Sequence, residues 1–123
     1  MTDLLTFPEK INNDDQLQGY ASFLATENDF AKSTINEYLS CANQFLNFLE
    51  IELTALDTMH LTQYRDYLQD DRKMKVASIN KHLYVVKHFV SWLHDEAELL
   101  KRDVGRKVKL LKVQKRATAP KSL

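Results

Sequence analysis

Residues 78–93, Ser-Ile-Asn-Lys-His-Leu-Tyr-Val-Val-Lys-His-Phe-Val-Ser-Trp-Leu, bring an apolar side chain round every three or four positions. Ile79, Leu83, Val86, Val90 and Leu93 share one stripe, with Phe89 and Trp92 flanking it, which is the period of a helix with a buried face. The pattern predicts a helix from about Ala77 to His94. Upstream, Thr58 can cap a helix running to about Gln69, with Leu61, Tyr64 and Leu68 inward. Leu53 and Leu56, in the short connection before it, are placed to tuck under the bundle. A further helix starts at Ser33 or Thr34, where Thr34-Ile-Asn-Glu37 fits a capping box. Its stripe is Ile35, Leu39, Ala42, Leu46 and Leu49, widened by Tyr38, Phe45 and Phe48, a breadth that argues for the central helix of a bundle. The first helix spans about Asp14 to Glu27, capped by Asn13 or Asp14, with Leu17, Tyr20, Ala21 and Leu24 at i, i+3, i+4, i+7.

Only two Gly and two Pro occur, and neither Pro interrupts a periodic segment, so a many-turned β fold is disfavoured. The fold class is therefore all-α: a compact four-helix bundle with a short C-terminal helix in which Val104, Val108 and Leu111 pack back on the core. The division expected is an N-terminal arm (1–13), a helical domain (14–100) and a basic linker (101–123), extended or mobile from Gln114 onward. One domain of 123 residues is large enough to bury a core. Cys41, alone among Leu39, Ala42 and Phe45, reads as a packed, reduced thiol. No apolar run reaches the ~18 residues of a membrane span, and the N-terminus lacks a basic, signal-length leader, so the expected location is the cytoplasm.

The zero net charge conceals a split. Residues 1–71 carry three basic and thirteen acidic side chains, a balance of −10; residues 72–123 carry fourteen basic and four acidic, a balance of +10. A basic half on a small helical chain points to a polyanion. The competing readings are mutual attraction between the halves and a solvated basic linker.

The second helix, once its apolar stripe is removed, leaves Asn36, Ser40, Asn43 and Asn47 in an uncharged, amide-rich row. That row is suited to base edges in a major groove, and equally reads as an ordinary solvated face. The fourth helix exposes Asn80, Lys81, Tyr84, Lys87 and His88, with Lys75 in the polar loop ahead of it. Lysines there neutralise phosphates or simply confer solubility, while Asn80 or Lys81 can reach a base. Lys107, Lys109, Lys112, Lys115 and Arg116 form a second electrostatic site that can follow phosphates without reading sequence.

Catalytic patterns are missing. His82, His88 and His94 are each six apart, which turns successive rings by ~240° on a helix, so they cannot converge on a metal. No His-Glu-x-x-His, Cys cluster, glycine-rich phosphate loop or Ser elbow is present. No cofactor, metal or catalytic residue is expected, and the chain as it stands reads as a non-enzyme.

Two stretches taken together resemble a known family. Leu-Ala-Thr-Glu-Asn-Asp-Phe-Ala-Lys-Ser-Thr-Ile-Asn-Glu-Tyr-Leu (24–39), followed by Asn-Gln-Phe-Leu-Asn-Phe-Leu (43–49), and the 78–93 stretch resemble the N-terminal core-binding (SAM-like) domain of tyrosine recombinases, the phage-integrase group. Leu56 to Leu68 fills the place of that family's third helix. The resemblance covers about residues 14–95. It implies double-stranded DNA as the partner, with helices two and four in adjacent major grooves, in the service of DNA integration and recombination by a mobile element. Carried over residue by residue, it marks Thr34, Asn36 and Ser40 on helix two, and Ser78, Lys81 and Lys87 on helix four. It also implies a catalytic domain of the same parent chain and other recombinase protomers as partners. That catalytic half needs two Arg, a His-x-x-Arg element and a Tyr nucleophile, and residues 101–123 do not supply them. Lys87 stands where the family often has Arg, and Lys-Arg-Asp-Val-Gly (101–105) replaces the usual Asn-Pro. Glu37, on the exposed side of helix two, is expected to cap its own helix through Thr34. A stand-alone DNA-binding regulator and a protein-interaction bundle whose acidic half docks a basic partner are the alternatives.

Overall fold

The computed structural model describes residues 13–112. Among the described residues four helices run in the order α1 (Asn13–Thr26), α2 (Lys32–Phe48), α3 (Thr58–Asp70) and α4 (Val76–Asp95), with a single 3₁₀ turn at Leu53–Ala55. No strand occurs among the described residues, and the fold is all-α. Each helix was legible to within one or two residues at its ends. The N-terminal arm and the tail beyond residue 112, with Lys115 and Arg116, lie outside the described residues.

The helix most fully enclosed is α4, while α2 lies between α1 and α4. Ile79, Leu83, Val85, Val86, Phe89, Val90, Trp92 and Leu93 of α4 are all buried, against four buried residues on α2 (Cys41, Ala42, Phe45, Leu46). A helix apolar around most of its circumference must be enclosed, and α4 is: α2 and α3 pack along it, and Tyr20 of α1 meets Phe89 edge-on at 4.9 Å. The broad stripe of α2 divides its work instead, between α1 on one flank and α4 on the other. Leu53 and Leu56 are buried beneath the bundle as expected. Burial raises the pKa of Cys41, which keeps the thiol protonated and unreactive.

The capping chemistry differs from expectation. Helix α2 begins at Lys32, with Ala31 as its N-cap and no side-chain cap. Thr34 therefore lies inside the first turn, where its hydroxyl cannot serve as a cap. The capping box occurs on α3, where Asp57 is the N-cap and His60 Nδ1 accepts the Asp57 N–H at 2.9 Å.

Three helix exits repeat one device without glycine. Asp29, Lys73 and Glu98 take positive φ (53°, 53° and 55°), and each is followed by an apolar residue: Phe30, Met74 or Leu99. The N–H of that residue donates to a carbonyl six positions back, at Leu24 (3.2 Å), Leu68 (3.1 Å) and Leu93 (2.8 Å) respectively. The apolar side chain then folds against the core, in the way that hydrophobic contacts accompany left-handed caps.

The short C-terminal helix expected around Val104, Val108 and Leu111 does not form. Residues 101–112 are turns and extended backbone. Their apolar face is nonetheless real, because Leu100, Val104 and Val108 are buried in the same core as the helices. Gly105 explains the close approach: a Cβ there would stand 3.1 Å from Leu61 Cδ2 and 3.5 Å from Lys87 Cα.

A non-glycine residue in the left-handed region carries about 1 kcal/mol of strain that glycine relieves. Glu98→Gly is therefore expected to raise Tm by about 2–6 °C, read by thermal melts; a lowered Tm would show that the exit is not strained.

Candidate nucleic-acid interface

Residues 100–112 form a strap that lies along α3 and α4, and the side chains that hold it are polar. Thr58 Oγ1 donates to the Val104 carbonyl at 2.8 Å, and Arg65 Nη1 to the Lys109 carbonyl at 3.1 Å. Lys87 Nζ donates to the Val108 carbonyl. Asn80 makes two hydrogen bonds to one residue: its Nδ2 donates to the Leu111 carbonyl and its Oδ1 accepts the Leu111 N–H, both at 2.8 Å. Arg102 reaches Asp57 Oδ1 at 2.8 Å, and Asp103 Oδ1 accepts the Gly105 N–H at 3.1 Å.

The geometry follows from two rises. From Asn80 to Lys87 a helix climbs ~10.5 Å at 1.5 Å per residue. From Val108 to Leu111 an extended chain covers ~10 Å at 3.3 Å per residue. Val108 sits at Lys87 and Leu111 at Asn80, so the strap runs antiparallel to α4, in step with it. Lys112 consequently leaves the strap at the N-terminal end of α4, the end from which Arg72, Lys73 and Lys75 project.

This arrangement sorts the residues singled out from the sequence. Lys75, Ser78, Lys81, Tyr84, Lys109 and Lys112 are exposed. Lys81 forms an ion pair with Glu37 of α2, so Glu37 braces α2 against α4 where a cap through Thr34 was expected. That pairing raises the pKa of Lys81 and keeps it charged. Tyr84, 56% exposed, stands beside Tyr38, whose own pKa is raised first by burial and then by Tyr84.

Asn80 and Lys87 face inward to the strap rather than outward to solvent. His88 is occupied as well: its Nδ1 lies 2.6 Å from the Tyr20 hydroxyl, and its ring packs against Tyr20, Phe23 and Tyr38. On α2, Asn36, Ser40 and Asn43 are exposed, while Thr34 is half-buried. Those three line an open groove of about 550 Å³ shared with Asp14, Leu17, Gln18, Ala21 and Leu39. The amide row thus borders the acidic start of α1.

Sequence reasoning passed over Arg72 and Lys73, both exposed beside Lys75. The run Arg72-Lys73-Met74-Lys75 was the available signal. Thr58 and Arg65 carried none, because their partners stand more than forty residues away. Among the described residues no group of three or more His, Cys, Asp or Glu is placed to hold a metal ion. No helix of the described residues is long and apolar enough to cross a membrane.

The family model described as the phage integrase, N-terminal SAM-like domain, matches residues 15–98. The chain belongs to this family. Searches of curated proteins and of solved structures returned no match. Membership places this SAM-like integrase domain in DNA integration and recombination, and the matched region takes in all of α2, α3 and α4. The strap begins just past the matched region, although its valines share the domain's core.

Burial lowers the pKa of His88, and burial first, then Lys81 and Arg72, lowers that of His82. A histidine whose folded pKa is depressed binds its proton more readily in the unfolded chain. The stability it allows is therefore complete above the unfolded value of about 6.5 and is lost as pH falls through that value toward the folded pKa. Tm is expected to drop between pH 7 and pH 5, and His88→Gln should flatten that drop; an unchanged slope in thermal melts would show that His88 is not held neutral.

Proposed function

We propose that this domain is the DNA-binding part of a site-specific recombinase of the tyrosine recombinase type, gripping its half-site at the N-terminal end of α4. One observation carries the reading: Arg72, Lys73, Lys75 and Lys81 cluster at that end of the helix, and the strap brings Lys109 and Lys112 toward it. Membership in the integrase family supports the same partner.

Two further features favour phosphate there. Neither α2 nor α4 has a side-chain cap, in contrast to α3. The first-turn N–H groups of both helices are thus open to an anion, and the helix dipole favours one. Ser78 and Tyr84 are exposed on α4, at hand for sugar, phosphate or base contacts. Asn36, Ser40 and Asn43 would then read bases from the flank of α2. Residues beyond the strap would lead to the catalytic domain of the parent chain, with other protomers alongside on the DNA. The domain itself performs no chemistry in this scheme.

Glu37 has a definite role in this scheme. It offsets the charge of Lys81, so the pair restrains binding until a phosphate takes the place of the carboxylate.

The test is anisotropy of a labelled duplex across a salt series. With about six phosphates neutralised, log Kd should change with log salt by roughly five units per decade. Lys75→Glu is expected to weaken binding by about tenfold, and Glu37→Gln to strengthen it a few-fold. Lys101→Glu, past the C-terminal end of α4, should have little effect. Equal losses from Lys75→Glu and Lys101→Glu would mean diffuse attraction, and a chain that binds no duplex at low salt would be a protein-interaction module instead.

A further inference from the structure

Resting on the DNA-binding reading, we infer that Asn80 is a positioning residue for the interface: it acts through the strap, by holding Lys109 and Lys112 on the DNA-facing end of α4. Two of its features fit no direct role. Both polar ends of its side chain are engaged by the backbone of Leu111, thirty-one positions away, at 2.8 Å each. The side chain is also part-buried under the strap and does not project to solvent.

A carboxamide that pairs with both the N–H and the C=O of one residue imitates the edge of a neighbouring strand. It satisfies two backbone groups at once and fixes the register of the segment it holds, because a slip of one residue breaks both bonds. Lys87 acts on the same segment from the next turns of α4, through the Val108 carbonyl, and Arg65 acts from α3 through the Lys109 carbonyl. Three side chains from two helices therefore converge on residues 108–111. Val108 is buried in that stretch and Leu111 packs against the core, but apolar contacts leave the register free, and the stretch carries exposed Lys109 and Leu110 into exposed Lys112.

The consequence is electrostatic. Lys109 and Lys112 on a free chain would sample many positions and lose conformational entropy on meeting a phosphate. Bonded to Asn80, the backbone that carries them is already ordered along α4 and leads toward its N-terminal end, where Lys75 and Lys81 stand. Lys87 contributes by the same route, its ammonium turned to the strap carbonyl and away from DNA.

The test is a double-mutant cycle between Asn80→Ala and the pair Lys109→Gln/Lys112→Gln, with two readouts on the full chain. The first is amide hydrogen exchange. Protection of the Leu111 amide is expected to disappear in Asn80→Ala while α4 core amides such as those of Val86 and Phe89 stay protected. The second is duplex affinity at fixed salt. Asn80→Ala is expected to weaken binding by roughly three- to tenfold, and the lysine substitutions to cost much less in its presence than alone.

Unchanged affinity in Asn80→Ala, or fully additive losses, would overturn the positioning role. If Asn80→Ala lowers helicity or exposes the core amides, Asn80→Ser is run through the same cycle, since its single hydroxyl cannot pair both Leu111 groups. An unsubstituted chain that binds no duplex would overturn the DNA reading and this role together, whereas a Leu111 amide that stays protected in Asn80→Ala would overturn the positioning role alone.

Discussion

Everything in this domain is arranged around the burial of α4. Eight of its twenty residues are buried, and no single neighbouring helix can cover so wide an apolar surface. Helix α1 covers the C-terminal half through Tyr20, Phe23 and the tilted rings around Trp92. Helix α2 covers a second side and α3 a third. The remaining surface between α3 and α4 is closed by Leu100, Val104 and Val108 of the strap. The strap is thus a structural requirement of α4, and removing apolar area from water is the force that draws it in.

Burial alone would leave the strap's register loose, because valine side chains in a groove bind without direction. Direction comes from hydrogen bonds. An extended segment cannot satisfy its backbone groups internally, as a helix does, so each N–H and C=O turned toward the core needs a partner there. Thr58, Arg65, Asn80 and Lys87 supply those partners. Polar residues on the flanks of two helices, which look solvated when taken one at a time, therefore determine the path of the chain after α4. They also bring Lys112 to the N-terminal end of α4.

The electrostatic pattern follows from that path. The split between an acidic first half and a basic second half does not separate the molecule into two lobes, since α4 is the centre of the bundle and the strap runs back along it. Arg72, Lys73, Lys75, Lys81 and Lys112 stand at or toward the N-terminal end of α4, while Asp14 of α1 borders the groove where the amide row of α2 lies. Glu37 and Lys81 join the two regions by an ion pair that is half-exposed on both sides. Such a pair adds little to stability, but it controls how much charge that end of α4 presents.

The sequence by itself determined the helices, because the 3.6-residue period is a local property and each stripe, from Tyr20 and Leu24 to Val90 and Leu93, had only to be counted. It also determined that Val104 and Val108 would pack, since their apolar character does not depend on backbone conformation. It did not determine that they would pack as an extended strap, nor that Ala31 in place of Thr34 would precede α2. The partners of Asn80, Lys87 and His88 were decided by tertiary structure alone. Each lies on the boundary of a helical stripe, where an exposed and a covered position have the same periodicity, and only the arrival of Leu111, Val108 and Tyr20 from distant parts of the chain settles which it is. Hydrophobic pattern is written along the chain, whereas the partner of a polar group is a fact about where the chain returns.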